Sequence, residues 1–288
     1  MPDLIRLSDD AAKIFVFDPV FPLGAAMEQA KRNKLNAFGR LARLNPFNRP
    51  KDETVLPTKH ELRYEPFWYV VAGRDVDFSK EITYAVDVGN PHAHKVLLDG
   101  REYPVNAQGK RRVIDLPAIE FCRRKIDYVA CVDGLGRELK KGILENYVGR
   151  PEAREQAVLN LPGAVLPQLR APTVRQKVDQ ILSSEVINAH EVQRDERTLE
   201  KFHLYYRPVF AFEFAWTTED KLGVIEVDGI SGEVAENGQW FKEKIDAIMT
   251  REMLFEAGAE IAGAFVPGGG LAVKVIEIIT APPDQKPL

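Results

Sequence analysis

The sequence predicts an α+β fold of two related modules, each with a mainly antiparallel sheet and packed helices. Three observations support this prediction. Two motifs each occur twice in the same order, candidate strands lie between them, and candidate helices flank the strands of the second half. A basic N-terminal helix and a Gly/Ala-rich C-terminal helix complete the predicted architecture.

The two repeated motifs indicate an internal duplication. The first, L-x-Y-x-P, lies at 62–66 and 204–208, and aromatic residues follow each proline. The second, V-D-G-[L/I]-x-x-E-[L/V], lies at 132–139 and 227–234. Asp-Gly supplies the positive-φ residue that a tight turn between two strands requires. The first half carries a longer middle part, at about 88–118, which is either decoration or a site.

Periodicity predicts the elements around the motifs. Residues 13–21 alternate as a short strand, and apolar positions three or four apart predict a helix at about 25–44. Residues 95–105 read as a hairpin that turns at an Asp-Gly pair. A helix is predicted from about 173 to 190, with a proline near its start. Residues 239–266 are compatible with a long helix whose second half is rich in small residues.

Proline-rich stretches place the predicted domain boundaries. The strand and basic amphipathic helix occupy residues 1–57, and the first α+β module occupies 58–150. The second module occupies 151–238. The C-terminal Gly/Ala-rich helical segment occupies 239–288.

The second half, over residues 173–236, resembles the PepSY-like family of small α+β modules. The resemblance rests on the order helix, strand, strand, strand, helix and on the closing segment VIEVDGISGEV, and it extends to residues 59–140. It implies a helix packed on an antiparallel sheet that closes in an Asp-containing turn and a glycine. Members of that family usually act outside the cytoplasm as inhibitory or binding modules, whereas this chain shows no export signal. The resemblance carries over no catalytic residue.

Composition is that of an ordinary soluble globular protein, with 45% apolar and 28% charged residues. A net charge of -4 gives no global reason to expect nucleic acid. Cys122 and Cys131 form no metal or disulfide pattern, so we expect two reduced thiols. The N-terminus does not resemble a signal peptide, and no stretch reaches about 18 consecutive apolar residues. We therefore predict a cytoplasmic protein.

Seven basic residues and no acidic one lie between residues 31 and 51. This run is typical either of a solvated face or of a contact with an anionic lipid surface, nucleic acid or acidic protein. The predicted anion-binding residues are Lys31, Arg32, Lys34, Arg40 and Arg43. At the other end of the chain, residues 261–273 carry no charge, which suits a helix packed on protein or a membrane-active hairpin.

Aromatic residues near the two L-x-Y-x-P motifs form the predicted partner-binding surface. Alternation within a strand sends half of them into the core, and any exposed half would mark a binding face. The predicted residues are Tyr64, Phe67, Trp68, Tyr69, Tyr206, Phe210 and Trp216.

The sequence shows few candidates for chemistry. His92 and His94, with His60 or Asp87, have the residue types of a metal site. Asp133 and Asp228 are equivalent positions of the two turns and suggest a carboxylate dyad. No nucleotide-binding loop is recognisable, and no metal, cofactor or catalytic residue is predicted.

The predicted function is that of a non-enzymatic cytoplasmic binding or assembly protein. It would act on a protein partner or on itself as a homo-oligomer, without nucleic acid. One alternative is a membrane-surface protein that uses residues 31–51 and the C-terminal tail on anionic lipid. A further alternative is a hydrolase that depends on a metal or on the carboxylate dyad.

Overall fold

The computed structural model describes residues 5–8, 10–39, 42, 48–140, 142–236, 238–241, 244–245 and 248–256. The chain forms two compact units, each built from three segments. Unit 1 comprises Met1–Ser8, Val70–Val129 and Lys177–Glu200; unit 2 comprises Asp9–Tyr69, Ala130–Gln176 and Lys201–Leu288. The predicted domains are continuous segments, and their boundaries stay a prediction.

The structure is mostly β, with 51% strand and 17% helix. The strands are β1 Arg6–Leu7, β2 Ala12–Phe17, β3 Val55–Asp87, β4 Lys95–Leu98, β5 Arg101–Pro104, β6 Asn106–Gln108, β7 Arg111–Asp133, β8 Ala153–Gln156, β9 Val158–Leu159, β10 Glu191–Trp216, β11 Lys221–Asp228, β12 Val234–Ala235 and β13 Met249–Thr250. The α-helices that lie wholly within the described residues are α1 Leu23–Asn33, α2 Ala171–Ser184 and α3 Arg251–Phe255, and short 3-10 helices span Lys34–Phe38 and Glu145–Tyr147.

One large mixed sheet has the strand order β12-β11-β10-β3-β7-β6. β1 and β2 pair with β10 in parallel, and β8 pairs with β2 in antiparallel fashion. β11 pairs with β10 and β12, both antiparallel. Two small antiparallel pairs, β4 with β5 and β9 with β13, lie outside this sheet.

The predicted α+β class with packed helices is therefore wrong, and strand length explains the error. The sequence predicts short strands with helices packed on them, whereas Pro66 and Pro208 each lie inside a long continuous strand, β3 (Val55–Asp87) and β10 (Glu191–Trp216). The parallel pairing of β2 with β10 joins residues about 190 apart in sequence, which local periodicity cannot reveal.

The predicted C-terminal helix is also wrong over its first part. Residues 239–241 belong to no helix or strand, Met249–Thr250 form β13, and the described helix spans only Arg251–Phe255. Thr250 caps that helix by accepting a hydrogen bond from the backbone of Met253. The Gly/Ala-rich remainder, 257–288, lies outside the described residues.

Several local predictions are confirmed. β2 overlaps the predicted strand 13–21, and α2 confirms the start of the helix predicted from about 173 to 190 but ends at Ser184. The predicted hairpin is β4 and β5, and both turn residues, Asp99 and Gly100, have the positive φ that the turn requires. Within the predicted basic helix, α1 ends at Asn33 and a 3-10 helix follows from Lys34 to Phe38; most of the rest, to residue 44, lies outside the described residues.

A cluster of aromatic and aliphatic residues holds α1 on the sheet of unit 2. Ala26 and Ala30 are fully buried and allow the helix to approach Phe210, Phe212 and the rings around them. In unit 1, the Arg74 guanidinium donates to the carbonyls of Leu182 (2.8 Å) and Glu185 (2.9 Å). A cation is favourable at this end of α2, where helix carbonyls lack partners.

Candidate functional site

The two repeated motifs meet in the same way in each half. The Gly134 N–H donates to the Pro66 carbonyl (2.9 Å), and the Gly229 N–H donates to the Pro208 carbonyl (2.8 Å). A Cβ on Gly134 would lie 2.7 Å from the Pro66 oxygen, and one on Gly229 would lie 2.8 Å from the Pro208 Cβ. Glycine is required at both positions because the proline approaches so closely.

The residues that precede the two prolines bind each other. Glu65 and Arg207 occupy equivalent positions of the L-x-Y-x-P motifs, and Arg207 Nη2 lies 2.7 Å from Glu65 Oε2. Glu65 is fully buried and Arg207 is 6% exposed. A buried, hydrogen-bonded ion pair thus joins the two copies at matching positions.

Two further arginines converge on Glu65. Arg63 Nη2 lies 2.6 Å from Glu65 Oε1, and Arg137 Nη2 lies 2.6 Å from Glu65 Oε2. Burial alone would raise the pKa of Glu65, but Arg207, Arg63 and Arg137 outweigh it and hold this pKa at about 2. Glu65 therefore stays ionised as the common acceptor of three guanidinium groups.

The remaining acids complete what we call the charge cluster. Asp133 Oδ2 accepts from Arg137 Nε (3.0 Å), and Asp228 Oδ2 lies 3.2 Å from Arg207 Nη1. Asp228 also accepts from the Tyr147 hydroxyl. The charge cluster comprises Arg63, Glu65, Asp133, Arg137, Arg207, Glu226 and Asp228.

This geometry differs from the suggested carboxylate dyad. In a dyad, two carboxyl groups share a proton because nothing else neutralises them. Here Asp133 and Asp228 are each paired with an arginine, and Asp228 Oδ1 also accepts from the N–H groups of Ile230 (2.9 Å) and Ser231 (2.8 Å). The two acids fix their turns and balance buried positive charge.

The segment after Gly238 covers part of the charge cluster. The Gln239 carbonyl accepts from Arg63, and the Gln239 N–H donates to Glu226 Oε1 (2.9 Å). The Phe241 ring lies 4.6 Å from the Arg63 guanidinium carbon. The charges are thus shielded from water and satisfied within unit 2, which is the arrangement of a structural support.

A second feature, in unit 1, is the outer edge of β7. On its inner side β7 pairs with β3. On its outer side, among the described residues, only its first residues, Arg111–Val113, pair with a strand, which is β6. The carbonyl of Arg112 accepts from the N–H of Val88 on the inner side. Gly134, just after β7, likewise bonds inward to Pro66. Even-numbered residues of β7 therefore point their backbone groups inward, and odd-numbered ones point them outward.

Pro117 agrees with this assignment. Its position is odd-numbered, so its missing N–H faces outward and costs no bond to β3. From Asp115 to Val129, the outward N–H and C=O groups face no described strand. We call this part of β7 the free edge.

The side chains of the free edge are unusually apolar for an exposed strand. Phe121 is 82% exposed, Val129 63% and Ile119 58%. The stretch between them is charged: Arg123 forms a bidentate pair with Asp77 (2.6 and 3.2 Å), and Lys125 lies 3.8 Å from Asp127. Exposed apolar side chains on an unpaired edge are typical of a binding site for another strand.

The predicted partner-binding aromatic residues lie mostly in the cores. Tyr64, Phe67, Trp68, Tyr206, Phe210 and Trp216 are buried, and Tyr69 is half-buried. Trp68, for example, stacks on Phe202 and donates to the Leu169 carbonyl (2.8 Å). In this fold these rings fill the interior, so they do not form an exposed face.

The predicted anion-binding residues are only partly described. Lys31 and Arg32 are on α1, and Lys31 is 3.1 Å from Glu28. Lys34 is 3.4 Å from Asp52 and donates to its carbonyl (2.8 Å). Arg40 and Arg43 lie outside the described residues. Acidic residues from nearby segments therefore neutralise part of the basic run.

The other candidate residues also have structural contacts. His60 stacks on Phe212, and Asp87 lies 2.8 Å from Arg111. No group of three or more potential ligands of a metal occurs in the described part of the chain. Cys122 and Cys131 are free and half-buried, as predicted, and burial raises the pKa of Cys131 to about 12.

Sequence reasoning missed both features found here. It recognises the repeated motifs but treats Glu65 and Arg207 as variable positions, although opposite charges at equivalent positions are a signal of pairing. It also places the candidate insertion at 88–118 and overlooks the strand that follows. The alternation IEFCRRKIDYV, preceded by Pro117, is the signal that indicates an edge strand.

No family model, curated protein or solved structure matches the chain. The resemblance to PepSY-like modules therefore stays a prediction. No helix among the described residues is both long and apolar enough to cross a membrane.

Proposed function

We propose that this chain is a binding or assembly protein that works by strand addition and performs no catalysis. The observation that carries the proposal is the free edge of β7, with outward backbone groups and the exposed side chains of Ile119, Phe121 and Val129. An extended segment that adds to such an edge gains a ladder of main-chain hydrogen bonds and covers apolar surface. The free thiols Cys122 and Cys131 support a cytoplasmic location.

The test compares two variants at the free edge. The backbone N–H and C=O of Arg123 point away from β3, so Arg123→Pro removes one outward N–H without breaking a hydrogen bond to β3. Arg123→Ala removes the same side chain and keeps the N–H. The probe is a labelled eight-residue peptide, acetyl-ETVTVTVE-amide, followed by fluorescence anisotropy, with hydrogen exchange to locate the protected amides.

We expect the peptide to bind the full chain and to protect odd-numbered amides between residues 115 and 129. Arg123→Pro should weaken binding at least tenfold, whereas Arg123→Ala should change it by less than about threefold, because the ladder is kept. Equal binding by the two variants, no binding when the chain is dilute enough to be monomeric, or protection elsewhere would overturn the proposal. Circular dichroism checks that both variants are folded.

A further inference from the structure

We infer that the strand accepted at the free edge is β7 of a second copy of this chain, antiparallel and centred on Lys125. This inference rests on the proposed function and names its partner. What decides the register is which residues would lie opposite each other between Phe121 and Val129.

Geometry limits the possible registers. The outward-facing residues of this stretch are odd-numbered, so in an antiparallel pair odd-numbered residues face odd-numbered residues of the other copy. A two-fold axis at Lys125 places each residue opposite the one that lies equally far from Lys125 on the other side. Each copy then offers the same surface to the other, which is the requirement for a closed dimer.

The side chains match in this register. Arg123 of each copy faces Asp127 of the other, and Phe121 of each copy faces Val129 of the other. All four side chains are well exposed in the structure, so they are accessible to a second copy. Opposite charges and apolar side chains directly across an antiparallel pair stabilise it, and the two-fold axis produces each contact twice.

Neighbouring registers lose part of this match. An axis at Arg124 places Arg123 opposite Lys125 twice, and an axis at Arg123 places Phe121 opposite Lys125 twice. An axis at Ile126 places Lys125 opposite Asp127 twice, but it sets Val129 opposite Arg123 and so loses both contacts between Phe121 and Val129. Like charges that face each other destabilise a pair of strands. The favoured register has only one such contact among these residues, between Lys125 and its own counterpart, and that contact limits the strength of the dimer.

Three variants of the full chain test this register, by sedimentation equilibrium over a range of concentrations. Asp127→Arg replaces two attractive contacts by two repulsive ones and should raise the dissociation constant at least tenfold. Asp115→Arg makes the same charge change on the same face of β7, outside the paired stretch, and should change it less than about twofold. Lys125→Thr removes the central repulsion and should lower the constant about two- to fivefold.

A mixing experiment makes the test specific. Asp127→Arg and Arg123→Glu chains should each dimerise poorly alone, but an equimolar mixture should recover the heterodimer. In the mixed pair, the arginine introduced at position 127 of one chain faces the glutamate introduced at position 123 of the other. Failure of the mixture to recover, with both chains folded, would overturn the register.

The two proposals fail in different ways. A wild-type chain that stays monomeric but binds the peptide at residues 115–129 refutes the second copy and leaves strand addition in place. A dimer that Asp127→Arg and Arg123→Pro leave unchanged forms elsewhere, and it too refutes the inference. A chain that neither dimerises nor binds the peptide refutes both.

Discussion

In the first copy of the motifs Pro66 accepts a hydrogen bond from Gly134, and in the second Pro208 accepts one from Gly229, so both copies join strand and turn through the same backbone contact. The residue before the proline is nevertheless acidic in one copy and basic in the other. The contact between Glu65 and Arg207 shows that side chains at equivalent positions are complementary while the backbone is the same. This supports an internal duplication.

The two copies also differ in how many buried charged groups depend on the residue before the proline, Glu65 in the first copy and Arg207 in the second. Glu65 accepts from three arginines, two of them with no equivalent in the second copy. Arg207 serves Glu65 and Asp228, and Asp228 has further donors in Tyr147 and two backbone N–H groups. The first copy therefore carries the residue whose loss leaves the most buried charge unbalanced.

The largest predicted effect follows from this asymmetry. Glu65→Ala should lower the free energy of unfolding by about 3–5 kcal/mol, because it leaves guanidinium groups buried without their common acceptor. Arg207→Ala should cost less, since both of its acids keep other partners. Urea unfolding at pH 7 measures both variants. A loss at Glu65 no greater than that at Arg207 would contradict the asymmetry.

Exchanging the charges of Glu65 and Arg207 separates the effect of this ion pair from the effect of the charged residues around it. Glu65→Arg combined with Arg207→Glu keeps one ion pair but places three arginines together and puts a glutamate beside Asp228. We expect the double variant to be at least as unstable as Glu65→Ala in the same urea unfolding experiment. If the exchange restored wild-type stability, the pair alone would matter and its surroundings would not.

How far the sequence could predict the molecule depends on the range of the interaction. Local signals are sufficient for the Asp99-Gly100 hairpin, for α2 and for the repeated turns, because turn chemistry and periodicity act within a few residues. They are insufficient for the parallel pairing of β2 with β10 and for the continuity of β3 through Pro66, which tertiary pairing decides.

The candidate site was less predictable than the fold. The sequence places aromatic side chains at a binding face, but the structure buries them, since large rings gain most from leaving water. The free edge is defined by which strands lie beside β7, and a sequence pattern shows alternation without showing which strands are neighbours.

The two copies of the motifs should differ in how the stability they contribute depends on pH. His203 occupies the position that Glu61 holds in the first copy, and burial lowers the pKa of His203 to about 4, helped by Lys201 and Lys13 and opposed by Glu155. Since the folded-state pKa lies below the value of 6.5 for the unfolded chain, the unfolded state binds the proton first. The neutral His203 therefore contributes full stability above this value, and the contribution is lost as the pH falls towards 4.

We expect His203→Phe to remove that dependence, which amounts to about 3 kcal/mol at most for a shift of this size. His203 contacts Phe15, Tyr69 and Tyr205, so a phenyl ring suits its surroundings. Urea unfolding between pH 7 and pH 4 is the measurement. The Glu65 contribution should persist over this range because its pKa is held at about 2. An unchanged pH profile in His203→Phe would show that another group causes the acid sensitivity.

The smallest predicted effects test whether the two copies are equivalent at the backbone. Gly134→Ala and Gly229→Ala each force a Cβ against a proline backbone or ring, and each should cost about 1–3 kcal/mol. Gly24→Ala is the matched control, because its Cβ meets nothing within 4 Å and alanine favours the helix, so stability should rise by up to about 1 kcal/mol. Similar losses at Gly134 and Gly229 in urea unfolding would mean that each copy needs its glycine for the same close contact. A loss at one alone would mean that the shared hydrogen bond supports the fold in that copy only, and the equivalence of the two turns would then end at their sequence.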